Sequence, residues 1–160
     1  MTITVGSKIP AAEFTVMGAD GQTKLSGDMV FSGRKVVLIG VPGAFTPTCS
    51  GNHLPGYIKN FEAIRDKGVD TIACTAVNDV HVMNAWSKAT GADGKILMLA
   101  DGNGDFARAL GLDLDLTAAG MGQRSRRYAM LVEDGVVTKL NVEEKPGLTC
   151  SAAEVILDEI

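Results

Sequence analysis

Continuous apolar runs and periodic ones alternate along the chain. "KVVLIGV" (Lys35–Val41) and "DTIACTAV" (Asp70–Val77) are nearly unbroken and rich in β-branched residues. Such runs suit strands covered on both faces, where polar residues need not alternate. "KILMLAD" (Lys95–Asp101) reads as a third strand of the same kind. Between these runs the period lengthens. Ile58, Phe61, Ile64 and Arg65 step at helical spacing, with Pro55 suited to a first turn or a kink and Gly68 as the stop. Val82, Met83 and Trp86 mark a further helix that Asn78 or Asp79 can cap. Phe106–Leu110 reads as a short helix.

The ends of the chain carry turn chemistry. Two short strands are expected near Glu13–Met17 and Gln22–Lys24, around the turn "GADG". "RYAMLVEDGVVTKLNV" (Arg127–Val142) reads as a hairpin turning at Asp134-Gly135. Ser151 and Glu154 have the spacing of a capping box for a last helix running to Ile160. The order is strand, helix, strand, helix, strand, hairpin, helix. That order implies a sheet with a parallel portion covered on both faces, made mixed by the hairpin. The expectation is an α/β, thioredoxin-like fold in which the N-terminal strands are an addition to the central sheet. One domain over residues 1–160 fits the length.

Composition narrows the function classes. With 160 residues, 46% of them hydrophobic and 21% charged, the chain has a globular composition. A net charge of -4 leaves no footprint for nucleic acid. Arg124, Arg126 and Arg127 form a short interrupted cluster that suits a local site better than a polyanion surface. No apolar run approaches the roughly 18 residues of a membrane span. The N-terminal "MTITVGSKIPAAEF" lacks a basic region followed by a long apolar stretch, so a cytoplasmic location is expected. The three cysteines are widely spaced and form no CxxC pair. That argues against a disulfide framework and a zinc site, and for individually meaningful thiols in a reducing compartment.

One thiol has a distinctive setting. Cys49 lies in "VPGAFTPTCSGNHLPGY" (Val41–Tyr57), after a strand and where a helix can begin, near Thr48 or Cys49 itself. Unpaired backbone N–H groups and the helix dipole there favour a thiolate. A helix end alone contributes typically under ~1 kcal/mol, so a nearby cation must supply much of the rest. The arginine cluster is the obvious source. Pro42 and Pro47 fix two backbone angles and remove two donors, so the loop is held before any substrate arrives. Thr46 adds a hydroxyl that can donate and accept. A thiolate, a hydroxyl, bare N–H groups and a guanidinium suit a molecule with two adjacent oxygens, a hydroperoxide. The plainer reading, an inert cysteine at a helix start, stays open on these residues alone.

The stretch Pro42-Gly-Ala-Phe-Thr46-Pro-Thr-Cys49 resembles the peroxiredoxin motif P-x-x-x-T-x-x-C. The longer string "GVPGAFTPTCSGNHLPGY" resembles the type II, or fifth-class, members, as do "VND" (Val77–Asp79), "RSRRYAMLVEDG" (Arg124–Gly135) and "LNVEE" (Leu140–Glu144). The resemblance implies that Cys49 is the peroxidatic cysteine, with Thr46, Arg127 and Pro42 around it. It implies reduction of hydrogen peroxide and alkyl hydroperoxides through a cysteine sulfenic acid, with no metal or organic cofactor. Glutathione with glutaredoxin, or thioredoxin, is the implied reductant, and a homodimer with its interface near Phe45 the implied assembly. Cys150, in "KPGLTCS", is the favoured resolving candidate over mid-strand Cys74; otherwise an external thiol attacks Cys49. Two alternatives stand beside this: a peroxide sensor that passes oxidation to a partner protein, and a redox-silent interaction domain.

The remaining residues have blander readings. His53, four positions after Cys49, can share its helix face, but as a structural or interface residue rather than the base of a Cys–His pair. His81 is expected on a helix surface, Asp79 as a cap, and Trp86, Met83 and Phe106 in the core. Gly111–Gln123 ("GLDLDLTAAGMGQ") is rich in Gly and Ala and is expected to pack close to the Cys49 site.

Overall fold

The computed structural model describes residues 2–160. Seven strands form the central sheet: Glu13–Gly18 (β1), Gly21–Ser26 (β2), Lys35–Gly40 (β3), Thr71–Ala76 (β4), Leu97–Ala100 (β5), Tyr128–Glu133 (β8) and Val136–Val142 (β9). Their order is β2-β1-β5-β4-β3-β8-β9. The pairs β3–β4 and β4–β5 are parallel, and the rest are antiparallel. The sheet is therefore mixed and thioredoxin-like, with β1 and β2 added at one edge. A separate two-stranded ribbon joins Asp113–Leu116 (β6) to Gly122–Ser125 (β7). The helices are Gly27–Phe31 (α1), Leu54–Lys59 (α2), Phe61–Asp66 (α3), Val80–Thr90 (α4), Asp105–Leu110 (α5) and Ala153–Glu159 (α6).

The continuous apolar runs have the expected cause. In β3, Val37 and Ile39 enter one core cluster with Cys49, Tyr57 and Trp86. Val36 and Leu38 enter the other, with Phe14, Phe106 and Tyr128. Both faces of the strand are covered, so neither alternate position is polar. The last position of β3, Gly40, must be glycine because a Cβ there would stand 2.1 Å from the Tyr128 ring. The β8–β9 hairpin turns at Asp134 and Gly135, both at positive φ (48° and 79°), as a two-residue turn of the primed type requires. No helix among the described residues is long and apolar enough to cross a membrane.

Four local features differ from the sequence expectation. The helix expected after the Cys49 motif is broken into three pieces. It opens as a π-turn, Cys49–His53, in which the Leu54 N–H reaches back to the Cys49 carbonyl. Pro55 cannot donate, and its ring would meet the carbonyl four residues back in a regular α-helix; the wide turn relieves that clash. A second break falls at Asn60, whose side-chain amide donates to the Gly56 carbonyl at 2.8 Å and competes with the ladder. The third strand is shorter than its apolar run, because the Lys95 and Ile96 N–H groups both donate to the Ala92 carbonyl and close a turn there. Ser151 does not cap α6. The N-cap is Ala152, with no side-chain bond, and the Ser151 hydroxyl is turned to Glu143 at 2.6 Å. Finally, α1 and the β6–β7 ribbon were not anticipated.

Candidate active site

The loop from β3 to the π-turn is fixed from several sides. The Ala44 N–H donates to Asn78 Oδ1 at 2.9 Å, and the Thr46 hydroxyl to the Gly43 carbonyl at 2.7 Å. The Ser50 N–H donates to the Thr46 carbonyl at 2.9 Å. Of the two cap candidates, Asp79 caps α4 by accepting from the Val82 N–H at 2.9 Å, while Asn78 holds the loop instead. Between the prolines, Phe45 sits at φ 65° and is 54% exposed. A non-glycine residue in that region carries strain of order 1–2 kcal/mol, held here by the bonds on either side.

Cys49 ends this loop fully buried. Arg127 Nη2 donates to its sulfur at 3.1 Å. Arg127 immediately precedes β8, the strand paired with β3, so strand register brings it to the start of the Cys49 loop. Its backbone carbonyl accepts from the Glu143 N–H at 2.9 Å, which ties it to the far end of β9 as well. The three arginines separate. Arg124 bonds to the Met121 and Val77 carbonyls, and Arg126 to the Glu143 carbonyl. Arg127 is the member that touches sulfur. It is 8% exposed, and among the described residues no carboxylate forms an ion pair with it.

The second arm of Arg127 defines another buried contact. Nη1 donates to His53 Nδ1 at 2.9 Å. His53 Nε2 lies 3.1 Å from the Ser151 carbonyl, which also accepts from the Tyr57 hydroxyl at 2.7 Å. A carbonyl only accepts and a guanidinium only donates, so the network assigns the proton to Nε2. Burial, then the Arg127 charge, lowers the His53 pKa to about 3, and the ring is neutral. Below it, the Glu143 carboxylate accepts from the N–H and hydroxyl of both Thr149 and Ser151. Burial alone would raise its pKa, but these bonds bring it down to about 2. A cavity of ≈ 440 Å³ opens beside the site, lined by Pro42, Thr46, Leu116, Met121, Pro146 and Arg127 among others. Leu116 and Met121 place the Gly111–Gln123 stretch on its wall.

The family model described as Redoxin matches residues 4–157. Peroxiredoxin-2E-2, chloroplastic, of Oryza sativa subsp. japonica is 50% identical over 161 residues, covering 98% of this chain and 72% of its own length. The chain belongs to the type II peroxiredoxins. Peroxiredoxin-2D of Arabidopsis thaliana is 44% identical over 156 residues, covering 97% of this chain and 96% of its own. Among solved structures, reduced Prx3 from Vibrio vulnificus in complex with H2O2 superimposes with a TM-score of 0.95 at 48% identity, over 99% of both chains. Membership of this family makes the protein a thiol-dependent peroxidase.

The other two thiols of this peroxiredoxin have different surroundings. Cys74 is fully buried in β4, and burial, then the nearby Cys49, pushes its thiol up. Cys150 is half-buried; burial and Glu143 push its thiol up, and its Sγ donates to the Val142 carbonyl at 3.5 Å. All three cysteines are free. His81 is exposed on α4. Two buried groups lay outside the sequence reading: Glu143, and His53 as the partner of Arg127. The spacing of His53 from Cys49 signalled a shared face; Glu143 lies in the "LNVEE" stretch that carried the resemblance, but its spacing gave it no role at the site.

Proposed function

We propose that Cys49 is the peroxidatic nucleophile and that the enzyme reduces hydrogen peroxide and alkyl hydroperoxides. The supporting observation is the Arg127 guanidinium donating to the buried sulfur at 3.1 Å, with no carboxylate among the described residues paired to it. A buried cation without a counter-charge is costly, and a Cys49 thiolate supplies that counter-charge. The thiolate attacks the nearer peroxide oxygen and the O–O bond breaks. The distal oxygen takes a proton and leaves as alcohol or water, and Cys49 becomes a sulfenic acid. Thr46 spends its proton on the Gly43 carbonyl, so its oxygen faces the substrate as an acceptor for the peroxide O–H. Arg127 and the Cys49 N–H stabilise the oxygens as charge moves, and Pro42 forms part of the stiff wall. The apolar sides of the cavity at Leu116, Met121 and Pro146 suit an alkyl substituent.

Regeneration takes a thiol: glutathione with glutaredoxin, thioredoxin, or Cys150 from within the chain. The exposed Phe45 on a stiff loop supports a homodimer meeting there. Peroxide turnover measured in parallel with both reductant systems, for wild type, Cys49→Ser and Cys150→Ser, tests the reading. Cys49→Ser is expected to abolish turnover, and consumption that survives it sinks the assignment. Many turnovers per protein separate an enzyme from a sensor that fires once. Light scattering at micromolar protein is expected to give the mass of a dimer, reduced to a monomer in Phe45→Glu.

A further inference from the structure

We propose that Glu143, Ser151 and His53 form a positioning relay that holds the Arg127 guanidinium on the Cys49 sulfur, so that the segment carrying Cys150 sets the reactivity of Cys49. This rests on the reading of Cys49 as the nucleophile. The guanidinium is a rigid fork, so fixing one arm fixes the other. One arm, Nη2, reaches the sulfur at 3.1 Å; the other, Nη1, is taken by His53 Nδ1 at 2.9 Å. That nitrogen can accept only while the proton sits on Nε2, and the Ser151 carbonyl keeps it there. Tyr57 shares the carbonyl and fixes its direction.

The carbonyl is in turn held by Glu143. Its carboxylate takes the Ser151 N–H at 2.8 Å, the Ser151 hydroxyl at 2.6 Å and the Thr149 N–H at 2.8 Å, together with the Thr149 hydroxyl. These bonds grip the chain on both sides of Cys150. The line from Glu143 to Cys49 is continuous, and His53, Ser151 and Cys49 have no exposed surface. Ser151 forgoes the capping of α6 to take part. A movement of the Cys150 segment therefore withdraws the Ser151 carbonyl, frees His53 and loosens Arg127 on the sulfur.

Four variants test the relay in the full chain. In His53→Asn, Oδ1 stands where Nδ1 stood and still accepts from Arg127. In His53→Gln, the amide still reaches Ser151 but no acceptor faces Arg127. Glu143→Gln turns one acceptor of the knot into a donor, and Cys49→Ser is the control. The readouts are kcat/KM for hydrogen peroxide and the rate of Cys49 alkylation by iodoacetamide at pH 7, mapped by peptide mass. His53→Gln and Glu143→Gln are expected to lose about tenfold or more in both, since small misplacements of a positioned group are felt strongly. His53→Asn is expected to lose clearly less than His53→Gln, because it keeps the acceptor for Arg127 and gives up only the bond to Ser151. Trp86 Nε1 donates to Ser50 Oγ at 2.9 Å beside Cys49, so unchanged Trp86 fluorescence reports an intact fold. If His53→Gln does not fold, Glu143→Gln and His53→Asn decide the matter. Rates near wild type in Glu143→Gln and His53→Gln, with Cys49→Ser inactive, overturn the relay alone. So does an equal loss in His53→Asn and His53→Gln, which would assign the effect to packing. Peroxide consumption that survives in Cys49→Ser overturns the nucleophile reading beneath it.

Discussion

Cys49 and Cys74 are both fully buried and belong to one core cluster, yet their surroundings are chemically opposite. Cys74 sits mid-strand in β4, between Ala73 and Thr75, and burial holds its thiol neutral. Cys49 sits at the mouth of a π-turn with a guanidinium donating to its sulfur. Burial by itself makes a thiol inert, because the thiolate loses its water. Burial beside a fixed cation does the reverse for reactivity: the same dry surroundings strengthen the attraction between sulfur and guanidinium. The difference between the two buried cysteines is thus one long-range contact, delivered by the register of β3 on β8, and it is what makes Cys49 the proposed nucleophile.

The sharpest way to break that difference is Arg127→Gln. It leaves Cys49 buried without a cation, as Cys74 is. A loss of about 10²–10³-fold in the peroxide reaction is expected, the scale of removing a donor from a preorganised site. Stopped-flow Trp86 fluorescence measures it, and a loss under about threefold would remove the cation from the account. Acid is the second test, since it acts on the polar side of the comparison. His53 is held neutral with its pKa lowered to about 3, against an ordinary value of 6.5. Below pH 6.5 the unfolded chain binds a proton that the folded one refuses, so stability falls as pH falls, until about pH 3. Glu143, lowered to about 2 from 4.5, adds a loss of the same sign once the pH drops below 4.5. From pH 7 to pH 4 the His53 share is about 3 kcal/mol, seen as a falling melting temperature. In His53→Asn that slope is expected to flatten.

What the chain disclosed and what it withheld follow from distance along it. The strand-loop-thiol unit was legible because its signals are local: a β-branched run, two prolines and a threonine within fifteen positions of one another (Lys35–Cys49). The arginine cluster was legible as a source of positive charge, but only the family resemblance singled Arg127 out of it. The relay was not legible, because the bond from His53 to Ser151 spans 98 positions. The β6–β7 ribbon had a signal that its small residues hid: Asp113, Leu114, Asp115 and Leu116 alternate with period two. Ser151 was misassigned because a serine three residues before a glutamate fits a capping box whatever else lies nearby. Glu143 outcompetes that role, since a charged acceptor makes the stronger bond. Ser151→Ala is therefore expected to cost about 2 kcal/mol in urea melts through the lost bond to Glu143. It is expected to leave helix content unchanged, and its peroxide rate should fall less than that of Glu143→Gln, because the Ser151 N–H and carbonyl remain.

The smallest effect is expected on the other side of the comparison, at Cys74→Ala. The substitution removes one sulfur from a packed strand between β3 and β5 and leaves a small void. A cost of about 1 kcal/mol is in keeping with such a truncation. The peroxide rate should stay within about twofold of wild type, since no polar group of the Cys49 site bonds to this sulfur and packing changes of this size are absorbed locally. A tenfold fall in rate with an unchanged melting temperature would mean that Cys74 takes part in the chemistry. Burial would then be no barrier to a thiol's function in this core, and the contrast between the two cysteines would need another cause than the guanidinium.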